Sequence, residues 1–248
     1  MATVSRTLRR ALTAALCLAA LAQSALADDV AIRKNIAERY PEFPKIDEIN
    51  KTPIPGLYEL RFGSDLFYVD EQGNHLIEGQ LIDTRTRTNL TEERVSKLSA
   101  VDFASLPFKD AIVWKQGTGA RKLVVFADPN CGYCKRFERD LQQVKDVTVY
   151  TFVIAILGGD SPEKTRDIWC AKDNTRAWRD WILTGTAPPR SMGQCDTAAL
   201  TRNMALSRKN RVNGTPSLVF EDGKRVPGAM TVEQIEKQLS VASTRKTS

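Results

Sequence analysis

Four residues constrain this chain more than any others: Cys131-Gly132-Tyr133-Cys134. They follow the apolar run Leu123-Val124-Val125-Phe126 and open a segment, Lys135 to Val144, whose apolar residues recur at helical spacing. A strand, two cysteines three apart and a helix form an arrangement suited to thiol–disulfide chemistry. At the helix start, backbone N–H groups and the positive end of the helix dipole favour a thiolate, and the second sulfur lies within one turn to close a disulfide on it.

Other uses of such a pair fit less well. A zinc ribbon needs a second close pair, but Cys170 and Cys195 stand far apart and no nearby histidine completes a site. A c-type haem site needs His after the second cysteine, where this chain has Lys135. A merely structural bridge across two residues would constrain the unfolded chain little. Redox catalysis is therefore expected, with no metal and no cofactor. Geometry divides the labour: Cys131, exposed at the helix start, is the expected attacking thiolate, and Cys134, one turn in and more covered, the expected resolving thiol. Lys135 and Arg136 read as a solvated basic helix face.

The first residues read as an address. Arg6, Arg9 and Arg10 precede the apolar stretch Ala11 to Ala22, and Ala25-Leu26-Ala27 supplies the small residues of a cleavage site. The stretch falls short of the roughly 20 residues that span a bilayer. Residues 1–27 are expected to be a signal peptide, the mature chain beginning near Asp28. Its loss removes three arginines and no acids and lowers the formal charge from +6 to +3, too mild a balance to argue for nucleic acid. It also removes Cys17 and leaves Cys131, Cys134, Cys170 and Cys195 in an oxidising compartment. Cys170 and Cys195 would close a loop of about 25 residues, a bridge worth roughly 3–4 kcal/mol. A structural disulfide is the expected reading. The rival, a second redox relay, lacks a short spacing or a helix-start position, and spacing alone does not fix connectivity.

The remaining mature chain exceeds one average domain, and its patterning divides. Residues 28–50 run from loose helical spacing toward an extended region; from Leu57 the pattern alternates through Phe62, turns at Gly63-Ser64-Asp65, and turns again at Asp70 to Asn74. This predicts a small antiparallel meander with little apolar mass, suited to burying a face or edge against a second copy. Asn89-Leu90-Thr91-Glu92 fits a capping box, and helical spacing continues toward Pro107. Beyond it, strands are expected at Ala111 to Lys115, Leu123 to Ala127 and Val147 to Ile156, then helices from Ser161 past Trp181 and from about Asp196, a hairpin pairing Ser217–Glu221 with Lys224–Val226, and a final helix capped by Thr231. The tail Ser243 to Ser248 reads as disordered.

Three stretches carry a family resemblance: Phe126-Ala127-Asp128-Pro129-Asn130 leading into the Cys131 to Cys134 motif, Ile168-Trp169-Cys170-Ala171-Lys172-Asp173, and Gly214-Thr215-Pro216. Together they resemble the bacterial periplasmic disulfide isomerases of the DsbC/DsbG type, and the Gly132-Tyr133 dipeptide favours the DsbC branch. Ile54-Pro55-Gly56-Leu57-Tyr58, Tyr68-Val69-Asp70 and His75-Leu76-Ile77-Glu78-Gly79 extend the likeness over nearly the whole mature chain. The resemblance implies an α+β protein: a small antiparallel-sheet dimerisation domain (28–88), a linker helix (89–105) and a thioredoxin-like catalytic domain (106–248) with a helical insertion at about 160–210. It implies a V-shaped homodimer, Cys131 as nucleophile, Cys134 as resolving thiol, Cys170 to Cys195 as the structural bridge, and Pro216 as a cis-proline facing the active site, where the backbone of Thr215 would meet an extended client segment. Misoxidised exported proteins are the implied clients, and an inner-membrane thiol reductase of the DsbD type the implied reductant.

The sequence departs from related patterns twice. Thioredoxins proper carry a buried acid six positions before the first cysteine, where this chain has Val125, and DsbC-type motifs continue with His, where it has Lys135. The lone His75 reads as a packing residue or a surface hydrogen bond, and the four tryptophans read as packing the insertion and the adjoining core. Two rival functions remain: a DsbA-like oxidase that donates its disulfide, and a holdase chaperone whose thiols are secondary.

Overall fold

The structure is a computed structural model that describes residues 29–245. The expected signal peptide lies outside the described residues. Contacts divide the chain into two compact units, Met1–Leu98 and Ser99–Ser248.

In the first unit, helix α1 (29–39) precedes a four-stranded antiparallel sheet in the order β1 (Glu48–Lys51), β2 (Leu57–Phe62), β3 (Asp65–Asp70), β4 (Leu76–Ile77). The alternation along β2 sends Tyr58, Leu60 and Phe62 into a core with Ile32 and Ile36 of α1, Ile46 and Val69. Phe43, Phe62 and Phe67 meet edge to face at 4.6–5.6 Å between ring centres. A two-stranded ribbon, β5 (Ile82–Asp83) with β6 (Thr88–Asn89), leads into α2 (Leu90–Leu98). The Asn89 side chain accepts from the Glu92 amide at 3.0 Å, the expected cap.

The expected linker helix over 89–105 is shorter than its sequence pattern. Helix α2 stops at Leu98, and a 3₁₀ turn takes over at Phe103–Ser105. The Val101 amide donates to the carbonyl of Gly223, at 2.9 Å, instead of to a helical partner. Gly223 has φ +81°, and a Cβ there would sit 2.6 Å from the Val101 oxygen, so the contact requires glycine.

The second unit is built on a five-stranded sheet of order β11 (Arg225–Pro227), β10 (Ser217–Phe220), β8 (Arg121–Ala127), β9 (Val147–Val153), β7 (Ile112–Gln116). Strands β8 and β9 are parallel and the other pairs antiparallel. The central strands are Val- and Phe-rich because both their faces are covered. On one face Val125, Phe137, Leu141, Trp178, Ile182, Ile235 and Leu239 pack helices α3 (Gly132–Leu141), α5 (Asn174–Thr184) and α7 (Val232–Arg245). On the other, Phe126, Phe152 and Ile154 pack with residues of α6 (Ala198–Lys209).

The helical insertion between β9 and β10 comprises α4 (Ser161–Trp169), α5 and α6. The helical stretch expected from Ser161 to Trp181 consists of two helices, because Asp173 caps α5 by accepting from the Arg176 amide at 2.9 Å. The chain end also differs from expectation: α7 continues to Arg245, with Leu239 and Ala242 in the core, so residues 243–245 are helical.

Candidate active site

The site forms where β8 ends and α3 begins. Asp128 follows the last residue of β8 and is fully buried. One carboxylate oxygen accepts from the amides of Ile156 (2.8 Å) and Leu157 (3.0 Å), and the other from the Asn130 amide (2.8 Å) and the Ser161 hydroxyl (2.7 Å). Those bonds end β9 at Val153, short of the expected Ile156, and fix the loop that leads into the cysteines. Pro129 follows, and its carbonyl accepts from the Trp181 indole at 2.6 Å.

Cys131 is the N-cap of α3. Its backbone is extended (φ −72°, ψ 113°), and its Sγ accepts from the Cys134 amide at 3.1 Å. A sulfur occupying the capping position satisfies one of the orphan donors of the first turn and is best able to do so as a thiolate. The Cys131 thiol is held near 6, well below the ordinary 9.0, chiefly by a hydrogen bond from the Cys134 thiol and also by the Thr215 side chain and the Cys134 and Tyr133 amides, against the opposing effect of burial. Burial pushes the Cys134 thiol far up, and its hydrogen bond to Cys131 and the Cys131 charge push the same way. Both cysteines are free thiols. One expectation is corrected: Cys131 is 4% exposed rather than open to solvent, because the Thr215 carbonyl lies 3.2 Å from its sulfur. Its neighbours Gly132 and Tyr133 are the exposed residues of the motif.

The Thr215–Pro216 peptide is cis, and Pro216 leads directly into β10. Beside it a groove of about 700 Å³ runs between α3 and the start of α7, lined by Tyr133, Arg136, Thr215, Pro216, Met230 and Val232. Two lysines frame Trp181: Lys135 Nζ lies 4.3 Å from the ring centre and Lys164 Nζ 4.1 Å. Lys164 also donates to Asn130 (2.8 Å) and Asp160 (3.0 Å). Lys135 thus rests on an aromatic face instead of standing free in solvent. The roles of Asp128 and Trp181 were absent from the sequence reading.

Cys170 and Cys195 form a disulfide, with Cα atoms 5.8 Å apart, joining the end of α4 to the segment before α6. Val125, six positions before Cys131, is buried in β8 and offers no proton acceptor. His75 is far from this chemistry in sequence and accompanies Asp70 at 2.6 Å in the first unit. Among the described residues no group of three or more His, Cys, Asp or Glu could hold a metal ion, and no helix is long and apolar enough to cross a membrane.

A sheet of this order, a Cys-x-x-Cys pair at a helix start and a cis-proline facing it define a thioredoxin-like thiol–disulfide oxidoreductase. Comparison with known proteins narrows the class. The thioredoxin-like domain family matches residues 108–242, and the disulfide bond isomerase protein N-terminal domain family matches residues 23–92. A probable thiol:disulfide interchange protein DsbC of Bordetella pertussis is 43% identical over 209 residues, covering 84% of this chain and 73% of the relative. The thiol:disulfide interchange protein DsbC of Escherichia coli is 28% identical over 229 residues, covering 90% and 92%. A crystal structure of a disulfide interchange protein from Neisseria gonorrhoeae, 34% identical, superposes on 55% of this chain and 98% of its own with a TM-score of 0.52. The chain belongs to the DsbC family of thiol:disulfide interchange proteins.

Proposed function

We propose that this protein is a periplasmic disulfide isomerase and reductase of exported proteins. The observation that carries the reading is the pairing of a capped, low-pKa Cys131 with a buried, protonated Cys134 beneath the Thr215–Pro216 turn. The Cys131 thiolate attacks a wrong disulfide in a client and forms a mixed disulfide, expelling one client thiolate. Either that client thiolate attacks a different bond and rearranges the client, or Cys134 attacks Cys131 and releases a reduced client. The groove beside Pro216 suits an extended client segment: Tyr133 is 73% exposed, and the apolar Met230 and Val232 flank it. Gly132 and Tyr133 keep the first turn of α3 open to that segment, and Cys170–Cys195 braces the insertion.

The first unit acts as the dimerisation domain and the second as the catalytic one. In support, β4 is a two-residue edge strand, and Leu76, Ile77 and Ile82 around it are 39%, 50% and 51% exposed. A homodimer presents two thiol pairs to one client. An inner-membrane reductant of the DsbD type returns the pair to the dithiol form, without which isomerisation stops in an oxidising compartment.

The test is reactivation of a scrambled, fully oxidised multi-disulfide protein by the reduced chain lacking residues 1–27, beside a version beginning near Leu106. The expected result is recovery with the longer chain and little with the shorter. If neither restores activity while the oxidised protein readily introduces disulfides into a reduced client, the reading gives way to a DsbA-like oxidase.

A further inference from the structure

Resolution of the mixed disulfide requires the buried Cys134 to lose its proton, so the structure must supply an acceptor. Two carboxylates lie in this part of the core. Asp128 has both oxygens occupied by four donors that hold the loop before α3. Glu138 is different. It is 2% exposed, lies in α3 four residues after Cys134, and its Oε1 has no hydrogen-bond partner among the described residues. Residues four apart share a helix face, with Cβ atoms about 5–6 Å apart, and long helical side chains lean toward the preceding turn. For Glu138 that is the turn that carries Cys134.

We infer that Glu138 is the proton acceptor for Cys134, reached across a water molecule. The inference rests on Cys131 and Cys134 being the exchanging pair. The step balances as follows. In the mixed disulfide, Cys131 Sγ is bonded to a client sulfur. The Cys134 S–H proton passes to the Glu138 carboxylate, and the sulfur's electron pair forms the Cys134–Cys131 bond. The Cys131–client bond breaks, and the client sulfur leaves as a thiolate. The client is reduced, the cysteine pair is oxidised, and the proton on Glu138 passes on to solvent.

The surroundings of Glu138 suit this role. From β7 the Trp114 indole faces it and from α5 the Trp178 indole, both buried and neither forming a hydrogen bond of ordinary geometry. The charged group facing it is Arg179 of α5, which also lies 4.8 Å over the Trp114 ring and donates to Gln142. Burial raises the carboxyl to about 7, against the lowering effect of Arg179, so near neutrality it exists in both protonation states. The mismatch with Cys134 shrinks when it matters. Two of the influences that raise Cys134, its hydrogen bond to Cys131 and the Cys131 charge, vanish once Cys131 is tied into a mixed disulfide.

The test uses 5,5′-dithiobis(2-nitrobenzoate) on the reduced protein. Attack by Cys131 releases a first thionitrobenzoate, and attack by Cys134 on the resulting mixed disulfide releases a second. In the wild type the second release should rise with pH through an inflection near 7, and Cys131 cannot supply it because its sulfur is then in a disulfide. In Glu138→Gln the ratio of second to first release rates should fall about ten-fold or more near neutrality. That deficit should shrink as hydroxide takes over at higher pH, and Glu138→Asp should restore part of the rate. A ratio in Glu138→Gln within about two-fold of wild type, or reduced by the same factor at every pH, overturns the assignment. So does a wild-type second release that lacks the inflection, whichever variants fold. Absence of the first release overturns the exchanging pair itself, and Glu138 with it.

Discussion

The amide of Cys134 donates to the sulfur of Cys131 at 3.1 Å, so the second cysteine of the pair holds the sulfur of the first at the start of α3. The Cys134 thiol adds the largest single downward influence on the Cys131 pKa. Thiolate absorbance near 240 nm in the reduced protein should therefore titrate with a midpoint of about 6. In Cys134→Ala, which removes the thiol and keeps the amide, the midpoint should move upward.

The same shift makes stability depend on pH. The folded-state pKa of Cys131 lies below its unfolded value, so the reduced protein is stabilised when pH exceeds the unfolded pKa and loses that contribution as pH falls through about 6. The oxidised protein lacks the titrating thiolate. Urea melts of both forms should show the advantage of the reduced form growing between about pH 6 and pH 9; a constant difference over that window would count against the thiolate as its source.

Asp128 holds four donors from three parts of the chain. Asp128→Ala should cost about 2–4 kcal/mol, because the part-buried amides of Ile156 and Leu157 and the buried Ser161 hydroxyl lose their acceptor together. Chemical denaturation measures this, and the Cys131 titration in the same variant should broaden or rise as the loop before α3 loosens.

Much of this architecture was legible because it is local. The alternation along β2, the Val-rich β8, the capping residues of α2 and the Cys131 to Cys134 spacing each reflect a periodicity or a contact within one turn. What sequence reading missed depends on distant partners. Asp128 meets amides 28 and 29 positions away, and the carbonyl that covers Cys131 belongs to Thr215, 84 positions away. Glu138 was masked for a related reason: its neighbours Arg136, Arg139 and Asp140 make the stretch read as a polar surface, and only the packing of α5 and β7 buries it. Helix α2 was overextended because the Val101 amide finds Gly223.

The disulfide from Cys170 to Cys195 should contribute stability without tuning the thiol pair. It closes 25 positions of chain, so Cys170→Ala with Cys195→Ala should lower stability by about 3 kcal/mol. The Cys131 midpoint should stay near 6 in that double variant, measured by the same absorbance titration.

Glu138 should prove costly in proportion to pH. Its folded-state pKa, about 7, is above the ordinary 4.5, so the protonated form is favoured on folding. Its stability penalty is absent below the unfolded pKa, develops as pH rises between the two values, and is complete above about 7. Glu138→Gln mimics the neutral acid in shape and cannot ionise. Around pH 4 the variant and wild type should melt within about 0.5 kcal/mol of each other, whereas at pH 8 the variant should be more stable by roughly 1–3 kcal/mol. Differential denaturation at the two pH values checks it, and equal stability at both would mean the carboxylate is better solvated than its surroundings imply. A variant that gains stability at pH 8 yet resolves its mixed disulfide slowly would separate the two effects of one side chain: the buried charge weakens the fold, and the same charge accepts the proton that Cys134 must lose.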